Sequence, residues 1–119
     1  MSPERMYLDY LDDIAEALQH SAEFVTGLSF DAFREDTKTV FAVVRALEVV
    51  GEATKQISPE VRNRHTQVPW REMAGMRDKL IHQYFGVDLR VVWKTVQEDV
   101  PVLIPVLHQV IAEERAREE

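Results

Sequence analysis

Apolar residues recur at helical spacing along almost the whole of this chain, and no stretch alternates with period two for long enough to be a strand. Tyr7, Leu11, Ile14 and Leu18 form one such stripe along a single face of a 3.6-residue helix. The pairs Val49-Val50 and Val91-Val92 sit inside helical patterns too. A chain of this kind can bury its stripes only against other helices. The expected fold class is therefore all-α: an up-down helical bundle of four long helices plus one or two short ones, as a single domain over residues 1–119. With 45% apolar and 29% charged residues, the chain can fill a core and stay in solution.

Capping residues place the elements. Ser2-Pro3 is a helix opening, and Gly27 follows the end of that helix. Phe30 and Phe33 anchor a single short turn. Asp36 caps a second long helix over Thr37–Ile57, with Val40, Val44, Leu47 and Ala53 or Thr54 toward the core. Ser58-Pro59 opens a short helix over Glu60–Arg64. Pro69 starts a third long helix, with Trp70, Met73, Leu80 and Ile81 as its apolar positions and Gly86 at its end. Asp88 caps the last helix, which Pro101 and Pro105 are expected to kink or interrupt. The tail ERAREE has no apolar content and is expected to fray.

Several function classes fall away. There is no cysteine, hence no disulfide framework and no thiolate zinc site. The four histidines, at 20, 65, 82 and 108, lack His-x3-His or HExxH spacing, so no metal site and no cofactor are expected. Neither a glycine-rich phosphate loop nor a serine in a nucleophile turn is present. The opening MSPERMYLDYLDD has no apolar h-region, and no apolar run approaches the roughly 18 residues that span a bilayer. The expected location is cytoplasmic, without a membrane partner.

Charge points the other way from the total. The net charge is −7, yet residues 61–94 carry seven Lys/Arg against three acids. The one basic region also holds the chain's densest chemistry, RDKLIHQYFG, from Arg77 to Gly86. Arg77, Asp78, His82 and Tyr84 fall within about two helical turns, and a guanidinium with an imidazole suits phosphate chemistry. On a straight helix Arg77 and Tyr84 share a face within about 20°, whereas His82 lies roughly 140° from Arg77 and about 7.5 Å along the axis. A helix distortion or a second copy of the chain would bring them together. Asp78 and His82, four apart, allow the carboxylate to hold the ring.

Two readings of these residues stay open. In one, Arg77, Asp78 and His82 are catalytic, Arg71 and Lys79 add weak RNA contacts, and Glu48 or Glu52 leans in to orient the arginine or histidine. In the other, Arg77–Asp78 and Asp78–His82 are surface pairs worth a few tenths of a kcal/mol, and Arg45, Glu48 and Glu52 are a solvated face.

The run GMRDKLIHQYFGVDLRVVW, with the upstream VPW and RALEVVGEATKQIS, resembles the signature region of the HepT-like branch of the HEPN proteins. That family's motif is Arg, a polar residue, three variable residues and His, extended to His-x-Tyr; Arg77, Asp78, His82 and Tyr84 match it. The resemblance spans essentially the whole chain. It implies a metal-independent endoribonuclease toxin of a type II/VII-like toxin–antitoxin pair, acting as a homodimer with its motif helices near the interface. His82 would be acid and base, and Arg77 would stabilise phosphate charge. A cognate minimal nucleotidyltransferase antitoxin would transfer AMP to Tyr84. The alternative is a non-catalytic nucleotide- or protein-binding HEPN module; in a third reading this chain only restrains a toxic partner enzyme.

Overall fold

The computed structural model describes the backbone of residues 3–82 and 88–119, and the side chains of residues 6–76, 78 and 88–119. It is all-helical among those residues, in the order α1 (Pro3–Phe24), α2 (Phe30–Glu35), α3 (Thr37–Lys55), α4 (Pro59–Arg64), α5 (Trp70–His82), α6 (Leu89–Lys94), a π-helical turn (Thr95–Asp99) and α7 (Val100–Glu118). Helix α6, the π turn and α7 follow without a break, so the described chain forms four long rods and two short helices, as its periodicity predicts.

The expected caps Asp36, Ser58 and Asp88 are in place, and Ser29, which the sequence reading did not single out, caps the short helix α2. Ser29, Asp36, Ser58 and Asp88 each accept a backbone N–H of the helix that follows. Thr39 bonds Asp36 through its hydroxyl and its amide, which holds that carboxyl below the usual range. Gly27 takes a φ of 79° in the turn after α1, a conformation that an L side chain resists. The expected Ser2 cap and Gly86 terminus lie outside the described residues.

Helix α1 packs against both α7 and α3, and α3 packs in turn on α5. Leu11, Ile14 and Leu18 of α1 are fully buried between them, with Phe33, Met73, Leu107 and Val110. Each such side chain contributes roughly 1.5–3 kcal/mol by leaving water. Trp70 is a core residue, as its spacing predicts, and Trp93 is half-buried against the core. Trp70 is buried and donates its indole N–H to the His65 carbonyl at 2.9 Å; the Trp93 ring packs on Phe33 at 5.3 Å.

Four expectations need correction. Helix α3 ends at Lys55, short of Ile57, because Arg62 folds back and donates to the Thr54 and Ile57 carbonyls, satisfying its last turn. Leu47, Ala53 and Thr54 of the predicted stripe are buried, but the most buried valines are Val43 and Val50 while Val40 and Val44 are only half-buried, so the core face is rotated in its first half. At Pro101 the expected interruption takes the form of the π turn, which absorbs the missing donor and the ring's bulk, but no break follows at Pro105, through which the helix runs to Glu118. Finally, the tail does not fray. Glu114 is completely buried, and Arg115 pairs with Asp12 at 2.6 Å.

Candidate active site

Helix α5 begins at a fixed point and carries the basic motif on its second half. The fixed point is a buried polar cluster. The Glu114 carboxylate accepts from Arg64 at 2.6 and 3.1 Å, meets the His65 ring at 2.5 Å and accepts the Tyr7 hydroxyl at 3.1 Å. Burial raises the pKa of Glu114, but the bonds from Arg64, His65 and Tyr7 outweigh it and hold the carboxyl at about 2. Burial, followed by the bonds to Glu118 and Glu114, pushes the Tyr7 phenol upward, so it remains a neutral donor. One carboxylate near the end of α7 thus ties α1 to α4 and to the His65 turn that Trp70 caps.

Met73 is then fully buried on the helix that packs against α3, and Arg77 and Asp78 follow about one turn later on the same helix. The Asp78 carboxylate faces α3, where both of its oxygens accept from the Lys55 ammonium at 2.9 Å. Sequence reasoning did not single out Lys55. It lies outside the basic segment and 23 residues from its partner, and the only signal was its place in the family-like run RALEVVGEATKQIS.

The other named positions divide. Arg45 reaches Glu48 at 3.5 Å and Glu52 at 3.1 Å, forming the ion-paired face that their spacing allows. Arg71 is exposed on the first turn of α5. The backbones of Arg77, Lys79 and His82 lie in α5, but their side chains are outside the described residues, as is all of Tyr84. Among the described residues no group of three or more His, Asp or Glu side chains is placed to hold a metal ion.

The chain is similar in sequence to known proteins. The family described as ribonuclease HepT-like matches residues 14–110. A protein of Thermococcus cleftensis named probable ribonuclease HepT is 57% identical over 100 residues, covering 84% of this chain and 91% of its own length. A provisionally named RNase of Caldanaerobacter subterraneus subsp. tengcongensis is 42% identical, over 89% of this chain and 95% of its own. Another, from Methanocaldococcus jannaschii, is 38% identical over 98% and 97%. No solved structure matches at a significant level.

Proposed function

Because this chain belongs to the HepT-like ribonuclease family, we propose that it is an endoribonuclease that cuts RNA by internal transesterification, and that it is the toxic member of a toxin–antitoxin pair. The observation that carries this reading is the second half of α5. There Arg77, Asp78 and His82 follow one another on a single helix, inside the one basic segment of an acidic chain, with Asp78 tied to the neighbouring helix by Lys55.

In the proposed reaction His82, as neutral imidazole, takes the proton of a ribose 2′-OH. The alkoxide attacks the adjacent phosphorus, and Arg77 places a fork of N–H donors on the charge that builds on the phosphoryl oxygens. The 5′-oxygen leaves with a proton from an imidazolium, and the 2′,3′-cyclic phosphate stays on the other fragment. A phosphodiester bond is exchanged for another, no electron pair leaves the system, and no step calls for a metal ion. The acid can be the same histidine in turn or His82 of a second copy, and a homodimer would place two motif helices around one cleft.

Tyr84 is the proposed AMP acceptor of the partner nucleotidyltransferase. An added phosphodiester brings one negative charge and a bulky nucleoside to a surface meant for RNA phosphates, so it blocks substrate by repulsion and by occupying the space. Expression in a bacterial host tests the toxin reading: the chain should arrest growth, and folded Arg77→Ala and His82→Ala variants should not. Full arrest by His82→Ala would refute the assigned role.

A further inference from the structure

Lys55 is a part of this site that neither the motif nor the family match names, and its geometry is specific. It stands in the last turn of α3, one residue after the carbonyl of Thr54 that Arg62 holds. From there it reaches Asp78 in the middle of the motif, with its ammonium 2.9 Å from both carboxylate oxygens. The two side chains are 39% and 51% exposed, and an ion pair so open to solvent adds little to stability. Its consequence lies elsewhere. The pair links the end of one helix to the helix that carries Arg77 and His82, and it neutralises the one carboxylate within a stretch that has to accept phosphate. We propose that Lys55, acting through Asp78, is a positioning residue that fixes the second half of α5 in register on α3 and compensates the Asp78 charge. The proposal rests on the ribonuclease reading for its effect on rate, but not for its effect on the helix.

Positioning and direct substrate contact make different predictions. A lysine that grips RNA phosphate should change KM and act independently of Asp78. A lysine that acts through Asp78 should change kcat, and its loss should cost nothing further once Asp78 is gone. The variants are Lys55→Met, Lys55→Arg, Asp78→Asn and the double variant Lys55→Met/Asp78→Asn, all read on RNA cleavage beside His82→Ala. Lys55→Met should lower kcat about tenfold with KM nearly unchanged, as small misplacements of catalytic groups do. Lys55→Arg should recover most of the rate, and the double variant should be no slower than the worse single variant. Effects that multiply, or a change confined to KM, would overturn the proposal.

Amide hydrogen exchange provides a readout that does not need activity. In Lys55→Met the amides of residues 78–82 should exchange several-fold faster while those of α1 and α7 stay as in the parent, and Lys55→Arg should restore them. Unchanged exchange in α5 would overturn the proposal whether or not the protein cuts RNA. If the parent chain cuts no RNA but the exchange responds as stated, the ribonuclease reading fails and the positioning role stands.

Discussion

Arg77 and His82 divide the proposed work, and the division sets how each should fail. In its proposed role Arg77 would stabilise charge that exists mainly in the transition state, so Arg77→Ala should lower kcat about 10²–10³-fold, the usual loss when one such donor is removed. Lysine in its place keeps the charge but loses the planar fork, and should recover only part of the rate. Single-turnover cleavage of a short RNA measures both. Asp78 illustrates a limit of reading residues by spacing. Its distance of four from His82 suggests a carboxylate that holds the imidazole, a pairing that lies outside the described side chains. The contact the structure describes is with Lys55, on another helix. Local spacing reports only what one helix can do for itself, and a partner 23 residues away leaves no periodic trace.

Among elements, α5 depends on the junction where α4, the His65 turn and α7 meet. The Glu114 carboxylate is what joins them, with Arg64, His65 and Tyr7 on it at once. Glu114→Ala would leave Arg64, His65 and Tyr7 without the carboxylate they share, a loss on the order of 1.5–3 kcal/mol, as for hydrogen bonds to a charged group. Urea melts should show that loss, and a larger effect than Glu60→Ala, whose carboxylate meets the same arginine at 3.4 Å from an exposed position. The pH dependence follows from the same group. Its carboxyl is held at about 2 in the folded chain against 4.5 for the free group. Its contribution should therefore be whole above about pH 4.5 and drain away as the pH falls toward 2, and Glu114→Gln should flatten this part of the stability profile. The elements themselves were legible because helix caps are local: Asp36, Ser58 and Asp88 act within three residues of where they stand. The order of the tail was not legible. ERAREE has nothing apolar to bury, and it is fixed instead by charges on α1 and α4 that only the fold brings near.

Over the whole molecule, charge is segregated. Acidic residues crowd α1, where burial and then the neighbouring Glu16, Asp9 and Asp12 push the Asp13 carboxyl upward, while the basic segment holds Arg71 and the motif. An RNA strand is repelled by the first surface and drawn to the second. RNA affinity should fall with salt, and Arg71→Ala should reduce the slope of log K against log salt by about 0.7 if that side chain meets one phosphate of a single strand. An unchanged slope would remove Arg71 from the RNA contacts. The all-α class was readable from periodicity, since every long stripe needs a helical partner. The rotation of α3 was not: Val40, Val43, Val44 and Val50 are chemically alike, and which of them is buried depends on where α1 and α5 lie.

The central claim is that α5 cuts RNA through His82 without a metal ion. Its most direct test is to incubate unmodified protein with bulk RNA in EDTA, beside a folded His82→Ala variant, and to map the new ends. The account predicts cleavage that leaves 2′,3′-cyclic phosphate and 5′-OH ends and is lost with His82. Cleavage that persists in the variant, 5′-phosphate ends, or no cleavage by protein shown by mass to carry no AMP would contradict it.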